Sequence, residues 1–528
     1  MKTVQLIILF SGLFLIACES PKELEQSSFT HLPMDQRLER IFAQNKEEKL
    51  NFEIKFAKEL QQLYKLHSFQ SFWYENDSLT TNAQYLLSFF DSSEYFGLPK
   101  HLYPINTIKI NQDPLQTELA ISESLFRIVK HLYFGVLDSG SVKISWNLGN
   151  ISDTLPALIF QYRKDTMLTR EIKSFEPQDF HYQWVISAWK KHLAQNNLDS
   201  ISFRVPSIKE DSLEAYLSAR KVLLHKNYLD SLTARQDSLF LLALEIYQKD
   251  HQLKGDHIIG MQTAKALEKT NWDKFEQLAV VLEKLKWTRI LPEKYFRVNI
   301  GEQKLILVDS SRIIREHRII VGHLDTQTPE LNSKMNRIIL YPYWNVPHSI
   351  SSKEILYAAR RDTSYIRKNN YRVFRKKEEI DPKTVDWKKY SHDKFPFRIR
   401  QEPGPKNSLG IIKFQFPNKH SVYIHDTPTK WLFKTQMRYY SHGCMRLENP
   451  RDLAYYLIAT DPKNRFVADS LETELEKAEN KAITLRKSIP IFIEYRTVTA
   501  DSLGNISFYN DYYGRDEKFI KAIFGFQD

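Results

Sequence analysis

The sequence predicts an α+β protein of several domains, helical up to about residue 275 and mostly β thereafter. Its 528 residues suffice for three or four domains of ordinary size. Apolar residues recur at helical spacing in the first half, as in FEIKFAKELQQLYKL, whereas short β-rich runs separated by Gly, Pro or Asn follow Trp287. A change of hydrophobic period within one chain indicates separate helical and β domains.

The composition indicates folded globular domains. Hydrophobic residues make up 42% of the chain and aromatic residues 13%, with only 15 Gly and 21 Pro, so collagen-like, low-complexity and disordered classes are excluded. The formal net charge of +11 permits an anionic partner. Charge alone does not choose among nucleic acid, acidic lipid and acidic polymer.

Residues 1–17 have the organisation of an export signal. Lys2 precedes an apolar run of 14 residues, shorter than the ~20 that a membrane-spanning helix needs. Cys18 follows a small residue, with an aliphatic residue three positions before it, which resembles the bacterial lipoprotein signal. We therefore expect an acylated Cys18 that anchors an exported protein to a bacterial membrane, facing the periplasm, and nucleic acid is excluded as a partner. The alternative is an ordinary signal peptide with an incidental cysteine.

Three segments precede the β region. Residues 18–45 are polar and are expected to form a tether, and residues 46–205 an α-helical scaffold domain without a cluster of titratable groups. Residues 206–275 end in a Gly-Asp turn and a Gly-x-x-Thr helix start. This order resembles the small three-helix peptidoglycan-binding module, although Tyr247 replaces the usual Phe. Glycan binding by the module is left open.

The β region is expected to span residues 276–500, followed by a C-terminal extension at 501–528. A Lys/Arg-rich stretch at 348–406 interrupts it, and the spacing from Ser351 to Glu354 resembles a capping box, which predicts a helix. An insertion of this length inside a compact sheet is usually functional. We therefore expect residues 348–406 to form a helical lid over a site, and call them the lid insertion.

The candidate chemistry centres on Cys444, the only cysteine after Cys18. A thiol acts as a nucleophile when a neighbouring base or positive field favours the thiolate. Strand alternation in SVYIHDT turns His425 away from the aliphatic face, where it can face a cleft. Gly443 permits a sharp turn that presents the thiol beside backbone N–H groups. The alternative for a lone cysteine is a small buried hydrophobe.

These residues resemble the catalytic motif of the L,D-transpeptidases, which is a histidine, some sixteen residues, then Ser/Thr-His-Gly-Cys-apolar-Arg. The matching positions are His425, Ser441, His442, Gly443, Cys444, Met445 and Arg446. Flanking text, including TPELNSKMNRIILYPYWNVPHSI, resembles the large periplasmic subfamily with a helical lid and a peptidoglycan-binding module. The resemblance covers most of residues 50–520.

The resemblance implies a cysteine acyl-enzyme formed on a stem tetrapeptide. Cys444 is the implied nucleophile, His425 the proton donor and acceptor, and the Asp426 carbonyl the group that orients His425. The N–H groups of Gly443 and Cys444 are the implied oxyanion hole. Arg446 has two interpretations, a contact with a stem carboxylate or a structural ion pair. The implied substrate-binding residues are Ser441, His442, Arg446, Tyr423, Arg438, Trp344 and Asn345.

The resemblance favours an L,D-transpeptidase that forms 3→3 peptidoglycan cross-links and releases D-Ala. The alternatives are a thiol L,D-carboxypeptidase or endopeptidase, an enzyme that attaches a lipoprotein to peptidoglycan, and an inert wall-binding lipoprotein. The implied partners are stem peptides and glycan strands, with a carbapenem as a covalent inhibitor. No cofactor is expected, and no cluster has zinc-ligand spacing.

Overall fold

The structure is a computed structural model that describes residues 32–44, 50–108, 113–137, 155–162, 168–231, 236–251, 253–288, 291–462 and 471–525. Cys18, the export signal and most of the predicted tether lie outside the described residues, so lipidation stays a prediction. The chain divides into two compact units, Met1–Glu176 and Pro177–Asp528. The finer domain boundaries within these units stay predictions.

The described residues of the first unit are helical apart from one short hairpin and the turns between elements. Its helices are α1 (Met34–Phe42), α2 (Ala57–Leu66), α3 (Thr81–Asp91), α4 (Pro114–Tyr133), α5 (Leu155–Tyr162) and α6 (Leu168–Ser174), and its strands are β1 (Tyr74–Glu75) and β2 (Ser78–Leu79). The carboxylate of Glu118 on α4 is buried and accepts hydrogen bonds from the N–H groups of Phe72 and Trp73. These bonds anchor the loop before β1 to the central helix.

The second unit opens with helices, of which three form the predicted small module. These helices are α7 (Phe180–Gln195), α8 (Ser212–His225), α9 (Asp237–Asp250), α10 (Met261–Glu268) and α11 (Asn271–Lys286). Helices α8, α9 and α10 share a core of their own. Buried Gln248 on α9 donates to the carbonyl of Ile258 and to the hydroxyl of Thr263, so one side chain joins the Gly-Asp turn to α10.

The β domain is a ring of paired strands. The strands are β3 (Lys294–Asn299), β4 (Lys304–Asp309), β5 (Arg312–Gly322), β6 (Leu331–Leu340), β11 (Ile412–Gln415), β12 (Ile424–His425), β13 (Tyr439–Ser441), β14 (Met445–Leu447) and β15 (Lys481–Glu494). The sheet order is β13-β5-β14-β12-β11-β6-β15-β3-β4, and β4 pairs again with β5, which closes the ring. Alternate residues such as Phe296, Ile412 and Met445 fill its core.

The lid insertion has its α-helices at its start, followed by a small sheet and two short 3-10 helices, Pro382–Thr384 and Trp387–Lys389. It holds α12 (His348–Ile350), a π turn (Ser351–Ile355), α13 (Leu356–Arg361), α14 (Ser364–Lys368) and strands β8 (Tyr371–Arg375), β9 (Glu378–Ile380) and β10 (Phe397–Gln401). Strand β7 (Trp344–Asn345), just before the insertion, pairs with β10. The expected α+β architecture is confirmed, but the lid is corrected from helical to mixed. Its first helix begins at His348, and Ser351 does not cap it.

The last described elements are α15 (Pro450–Ala459), α16 (Leu471–Glu476), the hairpin β16 (Val498–Ala500) and β17 (Ile506–Phe508), and α17 (Glu517–Phe524). Helix α17 packs on α11, and the hairpin packs on α7, so the C-terminal segment belongs to the second unit. Among the described residues, no helix combines the length and apolarity that crossing a membrane requires.

Candidate active site

Three neighbouring strands bring the predicted chemistry to one face of the sheet. Lys413 on β11 is in register with His425 on β12, and His425 is in register with Arg446 on β14. Their neighbours Ile412, Ile424 and Met445 point into the core. By alternation, the opposite face carries Lys413, Tyr423, His425, Cys444 and Arg446, which we call the cysteine face. Cys444 lies two residues before Arg446, the register partner of His425, so the thiol and the imidazole lie diagonally on neighbouring strands.

A tight turn between β13 and β14 presents Cys444. Gly443 has φ +102°, a backbone conformation that residues other than glycine rarely adopt. The hydroxyl of Ser441 donates to the carbonyl of Cys444 and accepts from the N–H of Gly443 at 3.2 Å. Ser441 is 3% exposed, so its predicted substrate contact is replaced by a hydrogen-bonded brace inside the turn.

The segment after β5 holds this turn from the other side. Thr326 donates its hydroxyl hydrogen to the carbonyl of Ser441, and Thr328 donates to that of Gly443, each at 3.0 Å. The hydroxyl of Tyr513 in turn donates to the carbonyl of Gly322, at 2.6 Å. A chain of buried hydrogen bonds thus fixes the backbone on both sides of the thiol.

The imidazole of His425 is buried and oriented by the backbone. Its Nδ1 lies 2.5 Å from the carbonyl oxygen of Asp426, the contact that the predicted orienting role requires. A carbonyl only accepts, so Nδ1 carries the hydrogen and Nε2 is left with a lone pair. Burial, with a smaller contribution from the charge of Arg446, lowers the pKa of His425 to about 3. His425 is therefore neutral at neutral pH, with the lone pair of Nε2 unprotonated.

The carboxylate of Asp426 holds the strand connection around His425. It accepts hydrogen bonds from the N–H of Ile411, at 3.0 Å, and from the ammonium group of Lys430. Gly410 has φ +60°, and a Cβ there would lie 2.3 Å from a carboxylate oxygen of Asp426. Only glycine leaves room for the carboxylate, which therefore has a positioning role at this site.

The thiol of Cys444 is partly buried between Tyr423 and Lys413. Burial raises the pKa of the Cys444 thiol, whereas hydrogen bonding to Tyr423 and the positive charge of Lys413 oppose that rise. The Lys413 ammonium lies 3.7 Å from the centre of the Tyr423 ring, and that ring meets the imidazole of His425 edge to face. The resting pair is therefore a neutral thiol and a neutral imidazole.

Arg446 has no carboxylate within ion-pair distance among the described residues. Its guanidinium donates to the hydroxyl of Thr429 at 3.1 Å and to the carbonyl of Tyr440 at 3.5 Å. The interpretation of Arg446 as half of a structural ion pair is therefore wrong for the described part of the chain. Its uncompensated charge is placed to attract a carboxylate.

His442 contacts the lid insertion. Its Nε2 lies 2.6 Å from a carboxylate oxygen of Glu354, and both side chains are about half exposed, at 45% and 54%. Glu354 lies in the π turn, a feature that often marks functional positions in helices. The residue two positions before the nucleophile therefore touches the predicted lid.

The remaining three predicted pocket residues lie in different places. Trp344 interacts with the side chain of Tyr423, beside the thiol. Asn345 is exposed on β7 and pairs with Arg400 of the lid insertion. Arg438 donates to the carbonyls of Ile319 and Gln303 and lines a different cavity, so the structure does not bring it to the cysteine face.

Two residues at the cysteine face and its turn, Lys413 and Thr328, were not predicted from the sequence. Lys413 was visible in GIIKFQF as a polar residue between core aliphatics, but its register with His425 was not. Thr328 is fully buried, yet nothing in its sequence context indicates a contact with Gly443. Of the two predicted oxyanion donors, the Gly443 N–H already donates to the hydroxyl of Ser441, which leaves the N–H of Cys444. In the described part of the chain, no group of three or more His, Cys, Asp or Glu residues is suited to hold a metal.

Comparison with known proteins agrees with this geometry. Residues 293–464 match the YkuD family, described as an L,D-transpeptidase catalytic domain, and residues 58–188 match a family described as a scaffold domain. A curated Haemophilus influenzae protein named "Putative L,D-transpeptidase" is 31% identical over 246 residues, which is 46% of this chain and 48% of the relative. The match thus spans about half the length of each protein. The chain is therefore similar to the L,D-transpeptidase catalytic domain over residues 293–464 and to the scaffold domain family over residues 58–188.

Proposed function

We propose that this protein is an exported, lipid-anchored L,D-transpeptidase that forms 3→3 peptidoglycan cross-links through a thioester on Cys444. The observation that carries the proposal is the cysteine face, where a neutral histidine with a backbone-oriented ring shares one sheet face with the thiol. A protonated Cys444 thiol and a neutral His425 imidazole suit an enzyme in which the thiolate forms only when substrate is bound.

The acylation step uses the groups of the cysteine face. The sulfur attacks the carbonyl carbon between the third stem residue and the terminal D-Ala, while Nε2 of His425 takes the thiol proton. The C–N bond then breaks, and the imidazolium returns that proton to the departing amine of D-Ala. The product is a thioester on Cys444 and a neutral His425. The N–H of Cys444, which no described residue accepts from, is available to the oxyanion.

The second step transfers the acyl group to an amine. The side-chain amine of a second stem attacks the thioester and loses a proton to His425, and the sulfur leaves to regain that proton. The new amide joins the third residues of two stems. Water at the same position would instead give a tripeptide, and a protein lysine would give an attached lipoprotein.

The charge of the lid insertion favours a large anionic substrate. Residues 348–406 hold sixteen Lys and Arg against eight Asp and Glu, a net charge of +8 out of the +11 of the whole chain. Stem peptides carry carboxylates, and a positive surface beside the site raises their local concentration. The uncompensated charge of Arg446 supports the same substrate class.

Incubation of a disaccharide-tetrapeptide with the protein lacking residues 1–17 tests the proposal by product mass. We expect a dimer that retains both stems, with one D-Ala released per bond, and no product from Cys444→Ala. His420→Ala, a change at an exposed histidine, is the matched control and should retain activity. Tripeptide without dimer would favour the hydrolase instead, and no product at all would count against both.

Two further tests address the parts of the proposal that lie outside the reaction. Carbapenem should add covalently to the wild type and not to Cys444→Ala, as read by intact mass.

Labelling of cells with an alkyne palmitate should mark the wild type but not Cys18→Ser. Equal labelling of both would contradict lipidation at Cys18.

A further inference from the structure

A cavity separate from the cysteine face lies outside the core of the β domain. It has a volume of about 390 Å³ and lies between α7, the β16–β17 hairpin and the outer face of β3, β4 and β5. Pockets that bind small ligands commonly measure ~300–1,000 Å³. Cys444, His425, Tyr423 and Arg446 are not among the residues that line it. We call it the arginine cavity.

The base of the cavity holds a buried guanidinium without a hydrogen bond. The side chain of Arg496 is only 6% exposed, and its nearest carboxylate oxygen, on Glu494, lies 3.3 Å from Nε. That contact does not meet hydrogen-bond geometry, and the buried Nε atom of Arg496 has no hydrogen-bond partner among the described residues. A buried charged group normally has its donors satisfied, because an unmade hydrogen bond is costly there.

Two further buried polar atoms at the same place have no partner among the described residues. They are Nδ2 of Asn299 and Nε2 of His181, in side chains that are 3% and 8% exposed. The Oδ1 atom of Asn299 accepts from two backbone N–H groups, which fixes Nδ2 as a donor. Three unpartnered polar groups from α7, β3 and the chain after β15 thus meet in one cavity.

Two guanidinium groups at the base, those of Arg297 and Arg496, stand beside two carboxylates, and both carboxylates, of Glu494 and Asp179, hydrogen-bond to Arg297. Glu494 binds Arg297 through both oxygens, at 2.8 and 3.3 Å, so it has little capacity left for Arg496. At the mouth, by contrast, Lys304 pairs with Glu302. The planar guanidinium fork matches the two oxygens of a carboxylate or phosphate group.

We propose that the arginine cavity binds the carboxylate or phosphate group of a small organic anion, with Arg496 and Asn299 as its donors. The volume exceeds that of a single phosphate, so the ligand carries further atoms toward the mouth. Burial and the charges of Arg297 and Arg496 hold the pKa of His181 well below its usual value, which accords with a positive field there. The proposal does not rest on the function of Cys444.

Isothermal titration of the full mature chain tests the cavity with two probes, inorganic phosphate and a disaccharide-tripeptide that ends in a free carboxylate. We expect saturable binding at one site by at least one probe, and the tighter probe identifies the source of the anion. Arg496→Gln should weaken binding at least tenfold. Lys419→Gln, a change at an exposed lysine, is the matched control and should leave the binding constant within twofold. Binding that is lost in Arg446→Gln and kept in Arg496→Gln would place the ligand at the cysteine face and overturn the proposal.

A second variant distinguishes a loss of binding from misfolding of Arg496→Gln. Ala500→Trp places an indole in the cavity from the half-exposed hairpin and leaves every buried donor intact. It should also weaken binding at least tenfold while circular dichroism stays unchanged. No saturable binding by the wild type, or equal binding by Arg496→Gln, Ala500→Trp and wild type, would overturn the proposal and leave the cavity to water.

Discussion

The cysteine face and the arginine cavity both bury a histidine beside positive charge, and they differ in what the histidine contacts. In both, burial and nearby guanidinium groups lower the imidazole pKa, for His425 to about 3 and for His181 well below its usual value. His425 is oriented by the carbonyl of Asp426, whereas Nε2 of His181 has no partner among the described residues. Neutrality alone therefore does not make a base. An oriented ring beside an acidic group is also required.

The arginines of the two regions also differ in their hydrogen-bond partners. Arg446 donates to a hydroxyl and a carbonyl and faces the side where a substrate carboxylate is proposed. Arg297 hydrogen-bonds to the carboxylates of Glu494 and Asp179, whereas Arg496 has a 3.3 Å contact with Glu494 that makes no hydrogen bond. Carboxylates thus satisfy the guanidinium of Arg297, and the guanidinium groups of Arg446 and Arg496 are the ones proposed to bind anionic ligands.

The largest expected effect is on the chemistry of the cysteine face. His425→Gln should lower the rate of D-Ala release about 10²–10⁴-fold, because general acid–base catalysis contributes that much. His251→Gln removes another buried histidine with a lowered pKa, in the helical module, and should have a far smaller effect. Equal losses in the two variants would show that burial, not position, explains the result.

The next effect concerns the stability of the arginine cavity. Glu494→Gln should lower the free energy of unfolding by about 3–5 kcal/mol, because it leaves two guanidinium groups buried without this carboxylate. Arg446→Gln breaks no carboxylate contact and should cost less. Urea unfolding followed by tryptophan fluorescence checks both, and similar midpoints would contradict the distinction.

The glycine beside Asp426 gives a smaller effect on both stability and rate. Gly410→Ala should cost about 1–2 kcal/mol for its left-handed backbone, and more for the collision with Asp426. Gly404→Ala, also at positive φ but with the nearest atom 4.0 Å away, is the matched control. Thermal melting and D-Ala release are the measurements. A slower rate in Gly410→Ala alone would support the positioning role of Asp426.

The pH dependence of thiol reactivity tests the charge of Lys413. A raised pKa keeps Cys444 protonated at neutral pH, so its alkylation by iodoacetamide should accelerate as pH rises through a midpoint above about 8.5. Lys413→Met removes a cation that favours the thiolate, so the midpoint should move further upward. Lys419→Met, at an exposed lysine, should leave it unchanged. A downward shift in Lys413→Met would contradict the assignment.

The smallest expected effect belongs to the contact with the lid insertion. Glu354→Gln should change kcat/KM by less than about fivefold, because exposed ion pairs contribute only ~0–1 kcal/mol. Steady-state kinetics with the tetrapeptide donor is the measurement. A much larger loss would mean that Glu354 has a catalytic or substrate-binding role beyond this pair.

Local sequence patterns predicted the side-chain alternation of β12 and the location of the β domain. Period-two alternation at β12 correctly separated His425 from Ile424, and the change of period near Trp287 located the β domain. The lid sheet was missed, because β8 and β10 are short, arginine-rich strands whose apolar residues pack only within the insertion.

The sequence by itself determined the family resemblance, the identity of the candidate nucleophile and base, and the net charge of the lid insertion, since each depends on residue type and spacing along the chain. Only the tertiary structure decided that Lys413 and Tyr423 flank the thiol, that Thr328 braces its turn, and that Arg438 belongs elsewhere. The arginine cavity was likewise invisible in the sequence. Which charges meet depends on strand register and on partners far apart in the chain, and these are set by packing of the whole core.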